Sequence, residues 1–217
     1  MASMGVYVFS RRVMLDILER EEGHDFGREL IPRALATYRV QPYLFRGYWA
    51  DVGTVASFYD ANLLLTRAGA PFKFYDPRRP IFTHSRFLPG ARLSDCVARD
   101  AIIAEGCYID QATLEESIVG IRTNIQAGAT IRRSVLLGAD FYAADDGAPA
   151  RGDNPRLGIG RDVVLERVIV DKNARIGDGV QLINAAGVQE ADGDGYYIRD
   201  GVIVVPKDGV VKPGTRV

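Results

Sequence analysis

Few residues in this 217-residue chain have both the type and the setting for chemistry. The sharpest is Asp51, in the stretch GYWADVGTVASFYDAN from Gly47 to Asn62, beside the single tryptophan and just ahead of a helix start. A lone carboxylate needs a partner to do ionic or acid–base work, and the same residue can also be read as a helix-capping acid near Thr54. Lysine is scarce: four lysines stand against 23 arginines, and Lys172, Lys207 and Lys212 all fall late in the chain. A compact ammonium suits a phosphate group, yet an isolated lysine is also an ordinary solvated surface residue. His24 has no acid–nucleophile companion in the sequence and reads as a loop residue. Cys96 and Cys107 form neither a disulfide framework nor a zinc spacing. No glycine-rich phosphate loop followed by a helix occurs, and the glycines of LGIGRD read better as corners of a repeat.

The elements around these residues change character along the chain. Val6 to Phe9 is apolar and β-prone, and reads as a strand from the middle of a sheet or as an N-terminal edge strand. SRRVMLDILER, from Ser10 to Arg20, has apolar residues at 13, 14, 17 and 18, a helical spacing with Ser10 as candidate cap. A polar loop, EEGHDFG, precedes a short helix over RELIPRALATY, and YRVQPYLFRGYW reads as a strand or hairpin. Thr54 can cap a helix over VASFYDANLLLTRAG, ending at Gly69. Strands alternating with helices predict α/β architecture for this first part. Prolines at 71, 77, 80 and 89 then mark a connector.

The remainder is a repeat. VARDAIIAEGCYI from Val97, LEESIVGIRTNI from Leu114, IRRSVLLGAD from Ile131 and LERVIVDKNARIG from Leu165 start 17, 17 and 34 residues apart. Each opens on an aliphatic residue and carries an aliphatic pair a few positions on, so the spacing predicts coils of about 17 or 18 residues with three short faces and a continuous core. The 34-residue interval holds DFYAADDGAPARGDNPR, read as a loop inserted into one coil, with a skipped coil as the other possibility. In the tail, the glycine–aspartate steps at 193 to 195 and 200 to 201 read as turns. The expected division is 1–70, 71–90 as linker, and 91–217 as the coiled domain.

Composition excludes little beyond the extremes. Net charge is −1 and apolar residues make up 47%, so nothing electrostatic points to nucleic acid or to a membrane surface. No apolar run spans a bilayer, and the opening residues lack the order of a secretory signal.

Stacks of this kind suggest a left-handed parallel β-helix, an exception to right-handed crossovers that spacing alone does not prove. Such helices occur in acyltransferases, which place a catalytic histidine on the helix, and in sugar-phosphate nucleotidyltransferases. His24 and His84 both precede the repeats, which argues against the first group. More specifically, SMGVYVF, HDFGRELIP, GYWADVGTVASFYDANL, GIR, GADFY, DKNARIG, GVQEAD and GYYIRDGVIVV together resemble the C-terminal half of the ADP-glucose pyrophosphorylase (glucose-1-phosphate adenylyltransferase) family. GADFY and DKNARIG are similar to its cyanobacterial and plant branch. The fold this implies is an α/β remnant of a Rossmann-like nucleotidyltransferase domain followed by a left-handed β-helix for regulation and oligomerisation.

The resemblance implies the reaction of ATP with glucose 1-phosphate to give ADP-glucose and pyrophosphate, in glycogen or starch synthesis. It makes Asp51 a ligand of Mg²⁺, shared with a second aspartate of the N-terminal half. It implies a glucosyl pocket drawing on Ser3, Tyr7, Asp25, Phe26, Trp49 and Asp51, and an anionic effector held by Lys172 and Lys207. On the residues alone, Tyr7 and Trp49 are readable as core and Asp25 as the cap of the helix near Arg28. The resemblance further implies a homotetramer in the full-length enzyme and a cytoplasmic location, or the plastid stroma in a plant. A competing reading is a non-catalytic β-helix module for oligomerisation or for binding an anionic metabolite. The nucleotide loop, second aspartate and sugar-phosphate lysine of the family find no match here, so residue 1 is expected to fall inside the catalytic domain. The purified 217-residue chain is therefore expected to make no ADP-glucose from ATP and glucose 1-phosphate, and measurable synthesis would refute this.

Overall fold

The repeat closes into a parallel β-helix of three faces. The computed structural model describes residues 3–20, 23–142 and 155–217. One face stacks Arg92–Ser94, Tyr108–Asp110, Asn124–Ile125, Gly158–Ile159, Arg175–Ile176 and Val210–Val211. The second stacks Val97–Arg99, Thr113–Glu115, Thr130–Arg132, Val164–Glu166 and Gln181–Leu182. The third runs through Ile102–Ile103, Ile118–Val119, Val135–Leu136, Val168–Val170 and Val202–Val205, and then turns antiparallel into Tyr196–Arg199 and Ala191–Gly193.

Register explains why short, weakly alternating segments suffice. Ala98, Leu114, Ile131, Leu165 and Leu182 follow one another across the second face. Ile109, Ile125, Ile159, Ile176 and Val211 do so across the first, and Val119, Leu136, Val170 and Val205 across the third. From Leu114 and Ile109 onward these side chains are buried. Each inward side chain therefore rests on its equivalents one coil away, and the core is built by translation rather than by side chains meeting across a centre.

Two sequence expectations are sharpened. Ile131 pairs directly with Leu165, so the 34-residue interval is one coil bearing an insertion and no coil is skipped. Residues 143–154 of that insertion lie outside the described residues. The first repeat, by contrast, starts one residue later than the spacing predicts. Val97 pairs with Thr113 and faces outward, and Ala98 holds the inward position, because this coil advances by 16 residues rather than 17. An aliphatic residue on the wrong side of a two-residue alternation misleads any count made on residue type. The turns at Asp194–Gly195 and Asp200–Gly201 form as expected, within the antiparallel meander.

The third face is apolar on both sides. Val168–Val170 and Val202–Val205 are buried throughout, so alternation is absent there. Their outer side is covered by a helix over Val55–Leu64, through Tyr59 and Leu63 against Val135, Ile169, Val202 and Val204. Thr54 starts this helix with a reciprocal capping box: its Oγ1 accepts from Ser57 N at 3.1 Å, and its own N–H donates to Ser57 Oγ at 3.0 Å. Tyr59 donates to the Arg133 carbonyl at 2.6 Å, and the Arg167 guanidinium lies 4.9 Å from its ring centroid. Burial pushes the Tyr59 phenol up to about 12 despite the two nearby arginines. Packing thus joins this helix to the β-helix, although the sequence reading grouped it with residues 1–70. The prolines at 71, 77, 80 and 89 lie in a segment without regular secondary structure.

Residues Met1–Asp51 form a separate compact unit from Val52–Val217. It contains a helix over Arg11–Arg20, a π-helical turn over Phe26–Leu30 and a short helix over Ile31–Thr37. Ile17, Leu30 and Ala34 form its core, with Phe9, Val13, Phe26 and Tyr38 packed around them. Met14 and Leu18, the other half of the apolar stripe read from the sequence, remain exposed. The segments read as strands, Val6 to Phe9 and 38–49, join no ladder among the described residues. A strand exists only by pairing, and this unit offers those segments no strand to pair with.

The register predicts a sharp contrast. Leu165→Ala should lower the unfolding free energy by about 2–5 kcal/mol, whereas Val97→Ala should change it by no more than about 0.5 kcal/mol. Urea unfolding followed by circular dichroism measures both, and a large effect at Val97 would contradict the outward placement.

Candidate functional site

In the N-terminal unit, four of the six residues expected for a sugar pocket gather around Gly27. Ser3 Oγ lies 3.1 Å from Tyr7 Oη, and the Gly5 N–H donates to Ser3 Oγ at 3.2 Å. The rings of Tyr7 and Phe26 stack at 6.4 Å, and Phe9 completes the group at 6.3 and 5.9 Å from them. A Cβ at Gly27 would stand 3.4 Å from Tyr7 Oη and 3.5 Å from Asp25 Oδ1, so the hydroxyl and the carboxylate flank one small side-chain-free spot. Such a set offers donors, an acceptor and aromatic faces, the chemistry that holds sugar hydroxyls and an apolar ring face.

The local reading of Asp25 is realised as well. It is the cap of the π-helical turn, accepting from Arg28 N at 2.8 Å, and its Oδ2 takes no hydrogen bond among the described residues. Tyr7 and Trp49 are not core: both are exposed. Trp49 and Asp51 sit on the irregular stretch before the Val55–Leu64 helix, and Trp49 makes no ring pair among the described residues. Asp51 is exposed. The capping role open to it from sequence is filled by Thr54 and Ser57. His24 donates its backbone N–H to Glu29 Oε2 at 2.9 Å, in a bend.

No group of three or more His, Cys, Asp or Glu side chains able to hold a metal ion occurs among the described residues. Asp51 alone fits one position in the shell of Mg²⁺, which takes one or two carboxylates and fills the rest with water and phosphate oxygens. No helix of the described residues is long and apolar enough to cross a membrane.

The second cluster belongs wholly to the β-helix and is more tightly built. Lys172 and Asn173 occupy a corner one coil before Lys207 and Asp208, and the Asp208 N–H donates to the Lys172 carbonyl at 2.9 Å. Asn173 and Asp208 both take the left-handed conformation, with φ of 62° and 58°. Stacked coils lie about 4.8 Å apart, so the two lysines issue from neighbouring corners with the same sense. Their charges meet on one carboxylate. Lys172 Nζ lies 2.9 Å from Asp140 Oδ1, and Lys207 Nζ lies 3.4 Å from Asp140 Oδ2.

Asn173, itself buried, holds this arrangement by using its whole amide. Nδ2 donates to Asp140 Oδ2 at 3.2 Å and to Asp208 Oδ1 at 3.1 Å, while Oδ1 accepts from Asp140 N at 2.8 Å. Gly138, at φ 88°, turns the chain toward Asp140, and a Cβ there would stand 2.3 Å from the Ile121 carbonyl oxygen. Lys172, followed by Asn173, brings Asp140 down to about 2. Sequence reasoning singled out both lysines but missed Asp140, Asn173 and Asp208. The available signal was the recurrence of a lysine followed by a left-handed-prone Asn or Asp 35 residues apart, at 172–173 and 207–208.

Comparison with known proteins finds two family matches along the chain, the first of which, 1–68, extends past Asp51 to include the Val55–Leu64 helix. Residues 1–68 match a protein-family model described as nucleotidyl transferase, which defines the class: a nucleotidyltransferase segment followed by a β-helix. Residues 86–216 match the model described as GLGC left-handed parallel β-helix domain. The chain belongs to that family, and the two matches in this order mark it as ADP-glucose pyrophosphorylase-like. The match also supplies the left-handedness that repeat spacing could not, and it supports reading the N-terminal part as the α/β remnant of a nucleotidyltransferase domain.

The Asp140 geometry sets its acid behaviour. Its carboxyl carbon, followed by NMR, should titrate near 2 rather than near the ordinary 3.8. With a folded value below the unfolded one, the contribution to stability is present above about pH 3.8 and is lost as pH falls through about 2. In Lys172→Ala the titration should move back toward the ordinary value.

Proposed function

We propose that this chain is the C-terminal portion of a glucose-1-phosphate adenylyltransferase, which joins ATP and glucose 1-phosphate into ADP-glucose and pyrophosphate for glycogen or starch synthesis. The observation that carries this reading is the order of the two family matches, a nucleotidyl transferase segment at 1–68 and the GLGC β-helix at 86–216. In this reading the sugar phosphate attacks the α-phosphorus of ATP and pyrophosphate leaves, chemistry that needs positioning and charge neutralisation more than a covalent intermediate. The nucleotide phosphates require a cradle of backbone N–H groups, and these 217 residues contain no glycine-rich loop of that kind. Catalysis therefore needs a nucleotide-binding half joined to this one.

Within that enzyme Ser3, Tyr7, Asp25, Phe26 and Trp49 line the glucosyl pocket, with Ser3, Tyr7 and Asp25 addressing hydroxyls and the aromatic rings covering the sugar face. Asp51 is the carboxylate this half contributes to Mg²⁺, which when bound neutralises charge on the phosphates. Lys172 and Lys207 receive an anionic, phosphate-bearing effector, an assignment supported by their convergence at one β-helix corner. GADFY and DKNARIG favour the cyanobacterial and plant branch. The assembly is a homotetramer in the cytoplasm, or in the plastid stroma of a plant, and acts without nucleic acid or membrane.

In an enzyme completed by its nucleotide-binding half, Asp51→Asn should lower kcat by on the order of a hundredfold. Lys172→Ala should leave basal turnover near the parent value and flatten the response to activator. Steady-state assay of ADP-glucose formation with and without a phosphorylated activator reads both. Full activity in Asp51→Asn, or an unchanged activation curve in Lys172→Ala, would overturn the corresponding assignment.

A further inference from the structure

The Lys172–Lys207 corner presents a difficulty for any anion. Three carboxylates, Asp140, Asp171 and Asp208, stand among the two ammonium groups, with the Arg122 guanidinium on the neighbouring Ala139 carbonyl at 3.2 Å, so an incoming anion meets negative charge already in place. Asp171 Oδ1 accepts from the backbone N–H of Lys172 at 2.6 Å, Asp208 Oδ1 accepts from Asn173 Nδ2 at 3.1 Å, and Asp140 Oδ2 accepts from that same amide at 3.2 Å. Asp140 is different. It lies past Val135–Leu136, the last ladder strand before the insertion, and its carboxylate alone spans both lysines.

We propose that Asp140 is a built-in counterion that occupies the anion site of Lys172 and Lys207, so that a phosphate-bearing ligand binds there by displacing its carboxylate. The inference rests on the reading of these lysines as an effector site and adds what that site must release. Partly exposed ion pairs are weak in water, so the exchange is feasible. A dianionic phosphate brings more charge and more acceptor oxygens to two ammonium groups than one carboxylate does. A simple monocarboxylate would only replace one single charge by another. The ligand class selected by this exchange is therefore a phosphate monoester or free phosphate.

The experiment is titration of inorganic phosphate into the purified 217-residue chain by calorimetry, in the parent, in Asp140→Asn, in Asp140→Ser and in Lys172→Ala/Lys207→Ala. Circular dichroism checks that each is folded. The backbone bond from Asp140 N to Asn173 Oδ1 does not depend on the carboxylate, so the corner should survive its loss. Both Asp140 variants should bind phosphate about tenfold more tightly than the parent, and the double lysine variant should lose binding. Phosphate binding no tighter in Asp140→Asn and Asp140→Ser, with binding still lost in the lysine variant, would overturn the counterion while leaving the effector reading intact. Binding indifferent to the lysines, or absent in every variant, would overturn both.

A second measurement needs no ligand. Acetylation of Lys172 and Lys207 by acetic anhydride, followed by mass spectrometry, should run several-fold faster in Asp140→Asn than in the parent, because the carboxylate no longer holds the ammonium groups. Equal rates would contradict the proposal.

Discussion

Everything in the β-helix depends on one constraint: each coil must return to the same place, so that aliphatic side chains stack on their own equivalents. The series Ile109, Ile125, Ile159, Ile176 and Val211 illustrates it. Parallel pairing fixes the rise between coils, and the inward side chain fixes the lateral position. Chain length between equivalent positions can then vary, provided the extra residues leave at a corner. Two intervals exploit this, the 34 residues from Ile125 to Ile159 and the 35 from Arg175 to Val210. Both depart from the 17-residue advance without breaking a ladder.

The same constraint builds the lysine corner. Stacking puts Asn173 and Asp208 in equivalent left-handed positions, and so places Lys172 beside Lys207. Two ammonium groups one coil apart repel each other, and the structure offsets this with Asp140, which Asn173 orients through two hydrogen bonds while a third ties the same amide to Asp208. The cluster is thus a product of coil geometry: the ladder supplies the lysines and the base of an insertion supplies their counterion. In the N-terminal unit the logic is local instead. There a capped π-helical turn and a glycine set Asp25 near Tyr7, and no repeating lattice enforces it.

The Val55–Leu64 helix illustrates how packing can override a reading made by position along the chain. Its sequence offers Tyr59 and Leu63 four residues apart, one face of a helix. The surface they need is the apolar outer side of the third face, where Ile169 and Val204 would otherwise meet water. An all-apolar strand such as VIVV, from Val202 to Val205, demands cover on both sides, and this helix provides it.

The sequence by itself determined the existence of the repeat, its approximate period, the helix caps at Asp25 and Thr54, the turns of the terminal meander and the two lysines worth attention. Those features rest on local chemistry or on recurrence, both of which are written in residue order. Only the tertiary structure decided the one-residue shift at Val97, the absence of a skipped coil, the pairing of the Tyr59 helix with the third face, and the failure of Val6 to Phe9 to act as a strand. It alone joined Asp140 to Lys172 and Lys207 across 32 and 67 positions. The physical reason is common to all of these. Register, burial on a second side and the meeting of charges from different coils depend on which segments lie next to one another, and residue order does not contain that adjacency until the ladders have formed.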